Sequence, residues 1–386
     1  HLMPYGPIDL KAVEKNKSAW VTLPNSEFDP SLGTDIYNRY LGEMALADEL
    51  GFDGVCANEH HQTAYGLMPA PNLIAAALTR TTKRAKIAVL GRALPLVSNP
   101  VAVAEEFAML DQMSGGRLIT GFVRGIGSEY FASAIDPTTS HERYYEAYEL
   151  ILQAWTRPGP FSYHGKHYRF DYVNIWPRPV QNPHPPVWVP SQGSIETIEW
   201  CAAKERKYTY LQTFSPMALA QKNFAAYREA AQRQGYEAAN SQLGWAVPTY
   251  VAETDAKARE ELKPHVETFF NYLLRFPIEM RFPPGYSSIK STKALIEQKF
   301  AVRAVQQNVD TLIDLGIIVC GSPQTVRDIF IERCKTMGVG TILPMMQVGT
   351  QPAEQTEKSM RLFASDVMPH LRAEFGSATG DTIAAE

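Results

Sequence analysis

The chain has 386 residues, of which 45% are apolar and 20% charged, and its formal net charge is −4. That is an ordinary globular composition with ample material for a large core, and it offers no basic field for nucleic acid or anionic lipid. Cys56, Cys201, Cys320 and Cys334 are scattered without CxxC pairs, which argues against a disulfide framework and a thiolate zinc site and fits a reducing cytosol. With no secretory signal pattern and no apolar run near the ~20 residues a membrane helix needs, the expectation is a cytoplasmic protein.

In chain order, residues 2–5 read as a first strand. Residues 36–50 place Ile36, Tyr40, Met44, Ala47 and Leu50 at helical spacing and stop at Gly51, as a C-cap glycine should. A strand at 54–57, a helix at 73–82, a strand at 86–90, a helix at 100–113 and a strand at 118–123 come next. A helix at 142–155 leads into an aromatic excursion with a hairpin over 161–170. Further strands are expected at 185–190, 207–211, 244–251 and 340–345, with helices at 194–203 and 217–234. Eight strands alternating with helices fit a (β/α)8 TIM barrel better than an open sheet. Residues 263–320 are too long for a simple connection and read as an insertion between strands seven and eight, a lid region over the barrel mouth. One domain over residues 1–376 and a flexible tail over 377–386 complete the expected organisation.

Loops after the carboxyl ends of parallel strands are where active sites are built. Asn58-Glu59-His60-His61 stands there, and an imidazole at that place can move a proton near neutral pH. Adjacent strand side chains point to opposite faces, so both histidines are not expected to serve one purpose. Arg124 ends the next-but-one strand among Gly121, Gly125 and Gly127, which suits a phosphate; the alternative is an arginine in an ion pair. As GxGxxG the segment fails, so a dinucleotide site is not indicated. Gly193, Ser194 and Thr197 open a helix after another strand, and could either bind an anion or only cap that helix. Gly91 could let a flat ring approach bare backbone, or could simply bend its strand. His164 and His167 lack further ligands at metal spacing, and no GxSxG elbow or recognisable cysteine nucleophile is present.

The string GFDGVCANEHHQTAYG (51–66) closely resembles the second-strand region of bacterial luciferase-like flavin monooxygenases, where a strand ends in Glu-His-His. NPVAVAEEFAMLDQMSGGRLITGFVRG (99–125), ETIEWCA (196–202), GSPQTVRDIF (321–330) and KSMRLFASDVMPHL (358–371) resemble later blocks of the same family, in order, from Tyr37 to Arg372. The resemblance implies a TIM barrel with an insertion before the last strand. It implies that His60 is the active-site histidine beside a flavin, and that Arg124, Gly193, Ser194 and Thr197 surround the flavin phosphate. Leu90 and Gly91 match a place where a non-proline cis peptide often supports the ring. Val123 stands where luciferase itself has a cysteine, and the region of Gln212 lacks its active-site tryptophan, which argues against light emission and long-chain aldehydes.

The resemblance further implies a monooxygenase that takes reduced FMN from a separate NAD(P)H:flavin reductase and uses O2 to insert oxygen into a small organic substrate. Family habit implies a homodimer. Two alternatives stand beside it: a deazaflavin-dependent oxidoreductase that transfers hydride, and a non-catalytic flavin-binding subunit. Tyr65, Met68, Phe131 and Tyr163 are expected as pocket walls.

Overall fold

A computed structural model of the protein describes residues 1–287 and 307–376. The expected tail at 377–386, and part of the insertion, fall outside the described residues. Ten strands are described: β1 (Gly54–Ala57), β2 (Lys86–Ala93), β3 (Leu118–Val123), β4 (Phe161–His164), β5 (Arg169–Val173), β6 (Val187–Ser191), β7 (Thr209–Thr213), β8 (Leu243–Val251), β9 (Val319–Gly321) and β10 (Thr341–Met345). The main sheet runs β1-β2-β3-β6-β7-β8-β10, with β9 added to β8, and every pairing in it is parallel. Antiparallel β4 and β5 form the expected hairpin.

This strand order, with crossover helices between successive strands, is that of a TIM barrel. All nine residues of β8 are buried, as parallel strands covered on both faces require. Trp155, Phe107 and Phe122 pack together between the sheet and its outer helices, each fully buried and worth roughly 1.5–3 kcal/mol against exposure. The crossover helices start where the sequence supplies caps. Asp29 accepts from Ser31 N ahead of Pro30–Glu49, and Asn99 accepts from Ala102 N ahead of Pro100–Ser114.

Three expectations are corrected. Residues 2–5 are buried but belong to no ladder, and Met3 takes a positive φ of 50° that breaks the extended run. The amide of Tyr5 donates to Ala64 O, and Met3 O accepts from Leu67 N, so the loop after β1 takes the bonds that a barrel neighbour would. The seventh connection is not wholly an insertion, because its last residues form β9 and pair Val319–Gly321 with Thr249–Val251. The strand expected at 207–211 lies at Thr209–Thr213, because Lys207 takes a positive φ of 50° and ends the turn first.

The lower loops are tied by Asp48. Its carboxylate accepts from the amides of Lys83 (2.7 Å), Arg84 (3.0 Å) and Ala85 (2.6 Å). Burial alone would raise its pKa, but the three amide bonds outweigh this and hold it below the ordinary carboxylate range. A depressed folded pKa gives stability that is present above the unfolded value near 4 and is lost as pH falls through the folded one. Asp48→Ala is therefore expected to cost about 2 kcal/mol at pH 7, and the gap to wild type should shrink below about pH 4; urea unfolding at the two pH values checks this.

Candidate functional site

At the carboxyl end of β1 the chain turns out of the sheet and sends His60 and His61 to different partners. His60 Nδ1 lies 3.1 Å from Glu129 Oε1, while the other oxygen of Glu129 accepts from the Ile126 amide at 2.7 Å. The two side chains are only 13% and 2% exposed. A buried carboxylate on Nδ1 selects the tautomer with its hydrogen there, which leaves Nε2 as the atom able to take up a proton. Trp20 stands edge-on to the imidazole at 5.4 Å and Tyr65 at 4.9 Å. The Trp20 indole N–H donates to Leu273 O at 2.9 Å, so the N-terminal segment and the chain after β8 together wall the histidine.

His61 faces the other way. Its Nε2 is 2.7 Å from Glu59 Oε1, and Glu59 Oε2 pairs with Arg92 at 2.7 Å and accepts from the Ala93 amide. Burial acts against charge on Glu59, but the bonds from His61 and Arg92 prevail and its pKa lies below the usual range. The hydrogen bond to Glu59 raises that of His61. These three side chains line a cavity of about 330 Å³ with Asn99, Glu106 and Ser133. The cluster shares no hydrogen bond with the His60–Glu129 pair, although the Glu129 charge also acts on His61.

Arg124 follows β3, two residues before Ile126, whose amide donates to Glu129. Its Nη1 donates to Tyr286 O at 3.0 Å and to Ser140 Oγ at 3.3 Å, and its Cζ lies 4.5 Å from the Tyr286 ring centre. No carboxylate among the described residues is at ion-pair distance from it. Ser194 caps Ile195–Cys201, accepting from Thr197 N at 3.4 Å and donating to Glu196 Oε2 at 2.8 Å. That helix has seven residues, so its dipole is a minor contributor. Gly193 has φ +104°, and a Cβ there would meet the Asn223 amide. Asn223 donates to Gln212, whose Nε2 donates to Ser215, so the buried amide at 212 props the turn from beneath. The charges of Arg124 and Glu196 both act on His141, whose pKa is lowered by burial first and by Arg124 next, with Glu196 opposing. Arg124, His141 and the Ser194 turn thus share one neighbourhood.

The Leu90–Gly91 peptide is cis. The β2–β3 register is interrupted between Val89 and Arg92, so the strand is irregular at Gly91, as the bending alternative expects. Of the expected pocket walls, Tyr65 touches His60 and Met68 is buried. Phe131 is half exposed, and Tyr163 reaches Glu146 O of the Ser140–Thr156 helix from the hairpin; neither joins the His60 wall. His164 and His167 pair with Asp171 and Glu142, and no metal-binding group of three occurs among the described residues.

Residues 18–340 match the luciferase-like monooxygenase family. The chain belongs to that family. Membership makes it an enzyme, an oxidoreductase of the flavin-dependent monooxygenase class. Among similar proteins, the alkanal monooxygenase alpha chain of Photorhabdus luminescens is 27% identical over 343 residues, 85% of this chain and 89% of that one. The 2,5-diketocamphane 1,2-monooxygenase 2 of Pseudomonas putida is 26% identical, covering 85% of this chain and 92% of its own length. An uncharacterised protein of Sinorhizobium fredii is 36% identical over 176 residues, 44% of this chain and half of that protein. In fold, the chain is similar to the oxygenating constituent of 3,6-diketocamphane monooxygenase from Pseudomonas putida, solved with FMN, at TM-score 0.72 and 20% identity over 87% of this chain and 93% of that one. A deazaflavin-dependent tetrahydromethanopterin reductase from Methanopyrus kandleri shares the fold at TM-score 0.62, with 19% identity over 86% of this chain and 95% of that one.

Sequence reasoning missed Glu129 and Trp20, which meet His60 across 69 and 40 residues of chain and left no local mark. Tyr286 was legible only as the end of the Phe-Pro-Pro-Gly-Tyr stretch in the insertion, read as a lid and not as a partner of Arg124. The His61–Glu59 bond carries a pH signature. A raised folded pKa gives stability that is full below the unfolded value near 6.5 and is lost as pH rises through the folded one. His61→Ala should lose roughly 1 kcal/mol at pH 6 and little at pH 9, read from urea unfolding midpoints.

Proposed function

We propose that the chain is an FMN-dependent two-component monooxygenase acting on a small organic substrate. One observation carries the reading: His60 has its Nδ1 held by the buried Glu129 carboxylate, and the same carboxylate ties it to the turn just after Arg124, a half-buried arginine that lacks an ion-pair partner among the described residues. The donor set fits a phosphate monoester. Arg124 supplies the charge, and the Ser194 hydroxyl and the Thr197 end of the turn supply neutral donors once Ser194 rotates from Glu196. Leu90 and Gly91 would lie under the flavin ring. Reduced FMN, when bound, supplies the activation of O2.

The protein's part is then positional and electrostatic. Arg124 and the Gly193–Ser194 turn fix the phosphate end. His60 Nε2 takes or returns a proton at the reacting centre, with Glu129 stabilising the imidazolium that forms. Trp20 and Tyr65 keep water from that imidazole. The reading takes residues 1–376 as one catalytic domain with a lid in 263–320, and places it in the cytoplasm with a separate NAD(P)H:flavin reductase. It also takes the protein as a homodimer. In support, Leu73 is 72% exposed and Met109 49% exposed, on the neighbouring helices Pro71–Thr81 and Pro100–Ser114. No described helix is long and apolar enough to cross a membrane.

Titration with oxidised and reduced FMN, then mixing of the reduced complex with oxygenated buffer, tests the class. Binding followed by an oxygen-dependent transient absorbance phase before oxidised FMN appears is expected. Tight deazaflavin binding with no FMN binding and no response to oxygen would move the chain to hydride transfer. His60→Ala should lower turnover by about 10²–10⁴-fold with FMN affinity retained; unchanged turnover would take His60 out of the mechanism.

A further inference from the structure

An arginine has five N–H donors in a rigid fork, and recognises phosphate best when two parallel donors reach two oxygens. Arg124 spends one nitrogen on the protein. Nη1 donates to Tyr286 O and Ser140 Oγ, while Nε and Nη2 have no bond among the described residues. The plane of the fork is set by the Tyr286 ring lying against it, 4.5 Å from ring centre to Cζ. Tyr286 is itself fixed, because its hydroxyl donates to Gly125 O at 2.6 Å and its ring meets Tyr130 edge-on at 5.4 Å. Tyr130 in turn donates to Arg124 O at 2.5 Å, so backbone and side chain of Arg124 are both held. The approach of this strap depends on Gly127, since a Cβ there would collide with Arg281 O and Pro283.

We propose that Tyr286, reaching in from the insertion, is a positioning residue for cofactor recognition: it binds Nη1 and stacks on the guanidinium so that the Nε–Nη2 edge is aimed at the FMN phosphate. This rests on the reading of Arg124 as a phosphate ligand. Tyr286 then discriminates phosphorylated from unphosphorylated flavin without touching the phosphate, and the strap Arg281–Tyr286 and the phosphate stabilise one another through a shared arginine. Burial raises the Tyr286 pKa, with Arg124 partly opposing, so the phenol remains a neutral donor and no anion competes for the guanidinium.

The test is the affinity of the full chain for FMN and for riboflavin, measured by quenching of flavin fluorescence. In wild type FMN should bind more tightly, and Arg124→Ala should abolish the difference. Tyr286→Leu removes the stack and should weaken FMN by roughly ten-fold while changing riboflavin less than about two-fold. Tyr286→Phe keeps the stack and the carbonyl and should lose about two- to three-fold for FMN alone; it carries the test if the leucine variant unfolds. Equal losses for both flavins, or none, would overturn the positioning role. If Arg124→Ala keeps the preference for FMN, or wild type has none, the phosphate assignment falls and this inference with it. If Arg124→Ala abolishes the preference and neither Tyr286 variant changes it, this inference alone fails.

Discussion

The Glu129 carboxylate is the point on which the site turns. One oxygen closes the turn after β3 by accepting from the Ile126 amide, and the other orients His60 from a different strand. A buried carboxylate is costly unless it is bonded, and here two bonds from two elements satisfy it. The consequence is that the strand end carrying Arg124 and the strand end carrying His60 cannot move independently. The anion-binding and proton-handling halves of the site therefore share one anchor.

The same logic separates the two histidines. Glu59 and Glu129 are both buried and both hold an imidazole, yet Glu59 is also neutralised by Arg92, whereas Glu129 has no arginine or lysine at ion-pair distance among the described residues. The Glu59 cluster has its charges matched and serves as a brace. His60 is backed by a carboxylate whose charge is available to an imidazolium, which is what a group that cycles its proton needs.

Much of this was legible in the sequence because it is local. Alternation of strands and helices, the Gly51 stop, the imidazoles at a strand end and the arginine among glycines are set by residues a few positions apart, and the structure places them as read. What was not legible is tertiary. Residues 2–5 have the apolar pattern of a strand, but their backbone bonds are taken by Ala64 and Leu67, a choice no local pattern reveals. Val319–Gly321 is too short to declare itself without the long β8 beside it. Glu129 reads as an unremarkable carboxylate in the first turn of a helix until β1 brings His60 to it.

One strand, β8, is long enough to serve two further neighbours besides β7. Its first part pairs with β10, and its last three residues pair with β9. The segment between β8 and β9 thus leaves the sheet at Val251 and rejoins it at Val319–Gly321, whose last residue is paired with Val251 itself, and the Ala252 amide also donates to Gly321 O at 3.2 Å. A loop whose two ends are stapled together is closed already, and the entropic cost of lengthening it grows only logarithmically, about 0.6 kcal/mol for each doubling. Beyond the packed helix Asp255–Thr268 and the buried Phe269 and Leu273, chain can therefore be added to this excursion with little effect on barrel register. The part of the molecule that reaches over Arg124 is thus the part freest to change in length, so the reach of the cover can diverge between relatives while the barrel beneath it stays fixed.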